Sequence, residues 1–121
     1  DHLAAIVNAI GPDTRIERVI DVPVHFDDQT RFAPQAQALM AKVGLSRNEW
    51  QSLRLVVWLP SLPTIAAIIL AHLSARTGHL PTIVRIAPVR HGALTTFEFA
   101  ELIDLDSIRN EERKQRSEDH A

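Results

Sequence analysis

The chain has 121 residues, 45% of them hydrophobic and 23% charged, the composition of one globular domain and not of a disordered segment. Its net charge of −2 supplies no general basic field, so duplex DNA is not an expected partner, although a local basic patch stays open. There are no cysteines, which excludes disulfides and thiolate zinc sites and fits a reducing, cytoplasmic compartment. The longest unbroken apolar run of the most apolar helical stretch, residues 65–71, is too short to span a membrane, and no signal peptide is visible. Because the chain does not begin with Met, part of the natural amino terminus is expected to precede Asp1.

In chain order, residues 1–10 (DHLAAIVNAI) place Leu3, Ile6, Val7 and Ile10 at helical spacing, with Asp1 as a candidate cap. Gly11-Pro12-Asp13 stops that helix. Residues 16–24 (IERVIDVPV) alternate loosely and predict a strand, with Pro23 marking an edge, a bulge or the strand's end. His25-Phe26-Asp27-Asp28 is the loop after it. Residues 32–43 predict a helix with Ala36, Leu39, Met40 and Val43 on one face, ended by Gly44. Ser46 and Glu49 have the spacing of a capping box for a short helical turn through Trp50.

Residues 53–78 are the centre of the pattern. A short apolar run, 53–59, predicts a buried central strand. Pro60-Ser61-Leu62-Pro63 makes a turn, and 64–76 predicts a helix that is apolar around most of its circumference. Pro63 suits the first helical position, Ser61 or Leu62 the cap, and Gly78 the position after the end. Residues 82–89 predict another strand, Arg90-His91-Gly92-Ala93 a turn, and 96–105 a final half-buried strand. Helices alternating with strands argue for an α/β fold with a mostly parallel sheet, covered on both faces in three layers. The short link between the last two strands adds an antiparallel edge hairpin. Residues 1–108 then form a single domain, and 109–121 a charged helical tail with a solvated end.

Several segments carry a family likeness. They are Ile20-Asp21-Val22-Pro23-Val24-His25-Phe26-Asp27, Glu49-Trp50-Gln51, and Leu59-Pro60-Ser61-Leu62 with the alanine-rich helix after it. Gly78-His79-Leu80-Pro81 with Arg85, and Phe97-Glu98-Phe99-Ala100-Glu101-Leu102-Ile103, complete the set. In order and spacing the chain resembles small stand-alone CRISPR-associated proteins of type III systems, related to CARF domains and ring nucleases. The resemblance implies a Rossmann-like, CARF-like fold, a cyclic oligoadenylate ligand (cyclic tetra-adenylate first), and a homodimer or higher homo-oligomer with each copy facing half of the ring. That family begins with a strand before its first helix, and the residues given start at the helix, so that strand is expected to be missing before residue 1.

Such a ligand needs donors for phosphate oxygens and pockets for adenine edges. A helix N-terminus offers free N–H groups and a favourable dipole. That makes Pro60, Ser61, Leu62 and Thr64 the expected anion-binding turn, with Ser61 serving as a cap, a ligand contact or both. Arg90 and His91 are phosphate donors or plain turn residues, and Arg85 is a phosphate donor or an ion-pair partner of Glu98 or Glu101. His25 and Asp27 end the preceding strand and are expected in the same cleft. His25 is a polar contact there, or the base that activates a ribose 2′-hydroxyl in metal-free cleavage. Trp58 stacks an adenine, or packs in a core or an interface, and Trp50 anchors the short helix.

The six histidines, His2, His25, His72, His79, His91 and His120, have no paired metal-ligand spacing, so neither a metal nor a cofactor is expected. Asp27-Asp28 and Asp104/Asp106 read as solvated loop charge rather than a divalent-metal site. No phosphate-loop, dinucleotide or nucleophile-elbow motif occurs. Three functions remain: a protein that binds and sequesters cyclic oligoadenylate, a ring nuclease that cuts it, and a structural or adaptor domain.

Overall fold

Three helices meet along one apolar seam, and the seam follows from their sequence spacing. In the computed structural model, which describes residues 2–11 and 13–119, the order is α1 (His2–Ile10), α2 (Phe32–Ala41), α3 (Arg47–Ser52), β1 (Val56–Val57), α4 (Pro63–Thr77), β2 (Thr82–His91), β3 (Leu94–Asp104) and α5 (Leu105–Asp119). Leu39 and Met40 of α2, Trp50 of α3 and Ile65, Ile69 and Leu73 of α4 form the buried cluster. The three α4 residues recur every four positions, so they share one face. Each such side chain removed from water contributes about 1.5–3 kcal/mol. Val22, Phe26, Leu55, Val57 and Leu59 pack around the cluster. The other faces of α4 are half-buried or exposed, so this helix is not enclosed around its circumference as its composition predicts.

The helix ends obey the local signals. Gly78 closes α4 in the left-handed region at φ 86°, with its N–H bonded to the Ser74 carbonyl. Ser46 and Glu49 form the full capping box of α3: the Glu49 N–H donates to the Ser46 hydroxyl at 3.2 Å, and the Ser46 N–H donates to Glu49 Oε1 at 3.0 Å. The candidate cap Asp1, the turn residue Pro12 and His120 lie outside the described residues.

The sheet is smaller than the pattern predicts. It has three strands in the order β1-β2-β3, with β1 parallel to β2 and β2 antiparallel to β3. The fold is thus α/β with a mixed sheet. A mostly parallel sheet is not formed: parallel pairing is confined to Val56–Thr82 and Val57–Ile83, while ten pairs join β2 to β3. The run 53–59 is an edge segment, and β2 is the central strand. Residues 16–24 form no strand. Helix α5 continues to Asp119 where the charge pattern predicts a fading tail.

The hairpin differs in detail from expectation. Arg90 and His91 belong to β2, and the turn is Gly92-Ala93 alone. Gly92 at φ 65° followed by a residue without positive φ has the signs of a type II′ turn, which matches the twist of paired strands. Ala100 stands unpaired where the register shifts between Arg85–Glu101 and Ile86–Phe99, a one-residue bulge.

The capping box sets a pH dependence. The Ser46 N–H and the Arg18 guanidinium both bond the Glu49 carboxylate, holding its pKa at about 2 against an ordinary 4.5. A carboxyl depressed on folding stabilises above its unfolded pKa and loses that stabilisation as pH falls through the folded value. Stability is expected to drop between pH 4.5 and 2. Glu49→Gln should lower the urea midpoint at pH 7 but progressively less toward pH 2.5, so a constant difference at both pH values contradicts the assignment.

Candidate functional site

The turn from β1 into α4 leaves backbone donors open. Leu62 is the residue before the helix and contributes no side-chain cap, Pro63 takes the first position, and no acidic residue lies in the first turn. Ser61, Leu62, Pro63 and Thr64 are all exposed. Ser61 is therefore not a cap. The Ala66 N–H is bonded to the Leu62 carbonyl at 2.8 Å, which leaves the N–H groups of Thr64 and Ile65 for an outside acceptor. By contrast, α3 has its capping box. The start of α5 is capped by Asp104, whose carboxylate accepts the Asp106 and Ser107 N–H groups at 3.1 and 3.2 Å and the Ser107 hydroxyl at 2.8 Å. Those bonds, the Ser107 hydroxyl first, pull the Asp104 pKa down. Asp106 accepts the Leu80 N–H at 3.1 Å. The Asp104/Asp106 pair is thus used in capping and tethering. Helix α2 also lacks a side-chain cap.

Trp58 stands three residues before Ser61. It is 46% exposed and meets the His2 ring edge-on at 4.9 Å between centroids. His2 Nε2 in turn lies 2.8 Å from the Phe97 carbonyl. This ties α1, the segment after β1 and β3 together, a contact that sequence spacing does not reveal because His2 and Phe97 are 95 residues apart.

The remaining candidates fall into two other places. Arg85 donates to Glu101 at 2.7 Å with both side chains half exposed, which is one of the two roles expected of it; such a surface pair adds about 1 kcal/mol or less. His91 Nε2 and the Thr96 hydroxyl both lie 3.0 Å from Glu98 Oε2, and these contacts, His91 first, lower the Glu98 pKa. The bulge explains why both pairs share a face. Glu98 and Glu101 are three apart and would point to opposite sides of an unbroken strand. Ala100 shifts the phase, so both join the face of Arg85 and His91. Arg90 lies on the opposite face, opposite Thr95 in the register.

Arg90 and His91 do not converge with the turn at Pro60. The last β1 pairing is Val57–Ile83 in a parallel pair, so Pro60, three residues on, comes level with about residue 86, and His91 lies some five positions further along β2, roughly 16 Å at about 3.3 Å per residue. His25 is exposed in its loop. Asp27 is engaged locally: its carboxylate accepts the Gln29 N–H at 2.9 Å, and its backbone is latched by the Gln35 side chain, which accepts at 2.7 Å and donates at 3.0 Å. Gln35 also donates to the Thr30 hydroxyl at 2.8 Å, so one amide organises the whole loop.

Beside Trp58 opens a cleft of about 1200 Å³, lined by α1, residues 14–24, residues 52–60 and the inner face of β2 and β3. Its walls are largely apolar and include Ile20, Val24 and Val56. Among the described residues no group of three or more His, Asp or Glu could hold a metal ion, and no helix is long and apolar enough to cross a membrane. No family model matches the chain, and no curated protein or solved structure is significantly similar to it.

The bulge gives a direct test of the hairpin. Deleting Ala100 restores an unbroken ladder in which Glu101 still faces Arg85 and Glu98 still faces His91. The deletion is expected to leave the melting temperature within about 5 °C, the equivalent of roughly 1 kcal/mol; a much larger drop shows that the irregularity itself is required.

Proposed function

We propose that this protein binds a cyclic oligoadenylate, cyclic tetra-adenylate first, and sequesters it, damping type III CRISPR signalling in the cytoplasm as a homodimer or higher homo-oligomer. A Rossmann-like, CARF-like class for the fold is part of the same proposal. The observation that carries it is the exposed, uncapped start of α4, with the hydroxyls of Ser61 and Thr64 on either side of Leu62 and Pro63. A phosphate fits free N–H groups at a helix start, and the exposed Trp58 nearby offers a stacking surface to an adenine. The likeness of the segments around Asp21, Pro60 and Glu98 to that family supports the choice of ligand.

Incubation with cyclic tetra-adenylate, followed by a mobility shift and chromatography of the recovered nucleotide, tests the proposal. A shift with intact ring supports sequestration. Linear product makes the protein a ring nuclease. No shift at micromolar protein defeats the ligand assignment and leaves an adaptor domain. Leu62→Asp separates the helix end from the ligand. A carboxylate at this position caps α4 and is expected to stabilise the fold by about 0.5–1 kcal/mol, while it fills the anion position and weakens ring binding at least tenfold. Unchanged binding in that variant moves the phosphate elsewhere.

A further inference from the structure

We infer that residues 16–24 are a strap that closes onto the outer edge of β1 as a fourth, parallel strand. Three observations lead there. The segment carries Ile16, Val19, Ile20, Val22 and Val24, the β-branched composition of a strand, yet no backbone hydrogen bond joins it to any strand among the described residues. Val19 is 65% exposed, Ile20 40% and Val24 38%. The same 1200 Å³ cleft is lined by β1, which among the described residues pairs only with β2, so its outer edge has no ladder partner there, and Val56 is 37% exposed. An open edge sharing a cleft with an unpaired, strand-forming segment is a template for strand addition.

The attachment points set the direction. The strap is held at its carboxyl end, where Val22 and Phe26 pack against the helical core beside Leu55, Val57 and Leu59, and by the Arg18–Glu49 ion pair. Residues 25–55, which contain α2 and α3, connect it to β1. A connection of that length through helices joins neighbouring parallel strands. Closure turns Val22 inward with Leu55, Val57 and Leu59, and brings Val19 and Asp21 onto the side of Arg54 and Val56. It also lengthens β1, whose ladder is two residues long while one edge stays bare. In parallel addition the loop carrying His25 reaches the same end of the sheet as the turn at Pro60. That consequence rests on the proposed phosphate site; closure itself does not.

The chain has no cysteine, so introduced pairs report cleanly. All five positions used, Val19, Asp21, Arg54, Val56 and Trp58, are exposed, which keeps the substitutions from emptying the core. Under mild oxidation Val19→Cys with Arg54→Cys, and Asp21→Cys with Val56→Cys, are expected to form intramolecular disulfides at least tenfold faster than Val19→Cys with Trp58→Cys, which only antiparallel addition favours. In the unmodified protein, amides 18–22 are expected to exchange hydrogen at least tenfold more slowly than in an unstructured peptide. Exchange at unstructured rates with no cross-link, a faster Trp58 pair, or cross-links only between molecules each overturns the inference. No outcome with cyclic tetra-adenylate alters these readings, so strap and ligand fail separately.

Discussion

The stripe Ile65, Ile69 and Leu73 holds the molecule together, because α2, α3 and the β1 segment are all placed by contact with it. Met40 is 2% exposed and Trp50 4%, so neither has an alternative apolar environment. The Trp50 indole N–H is buried without a partner, while the Arg76 guanidinium lies over the ring at 5.3 Å. A cation on the ring face gains from its negative quadrupole, and it ties the last turn of α4 to α3. The hairpin stands apart from this centre, with Val84 as its buried residue.

Elements with local causes were legible in the amino-acid order. Gly78, Pro63 and the Ser46–Glu49 pair act within one turn of helix, so α3 and α4 begin and end close to where spacing places them. The α/β class and the final hairpin were legible for the same reason. The weight of the sheet was not. Residues 53–59 have the composition of a central strand, but strand order depends on which neighbour supplies the second ladder, and that information is not local. Alternation likewise marks 16–24 as strand-forming without saying whether an edge is available to it.

The candidate site was legible only in part. The turn at Pro60–Thr64 could be placed from Pro63 at the first helical position, but its open state could not, since Ser61 was as good a candidate cap as Leu62 and the structure puts Leu62 there. Its neighbours could not be placed. Arg90 and His91 follow a strand end in sequence, but a two-residue turn keeps β2 running through His91, far beyond the β1 pairing. The choice between Glu98 and Glu101 as partner of Arg85 turned on Ala100, since one unpaired residue decides which carboxylates share a face. Asp27 was expected in the cleft because it follows a predicted strand, yet the amide of Gln35, eight residues on, bonds its backbone in a local loop.

Helix α5 follows β3 without an intervening loop and has no buried residue. It is fastened at its base, where the Leu105 N–H reaches the Pro81 carbonyl and Asp106 holds the Leu80 N–H. Fifteen residues make a rod about 22 Å long. Anchored at one end, the rod acts as a lever: a tilt of about 10° at the base carries its tip roughly 4 Å.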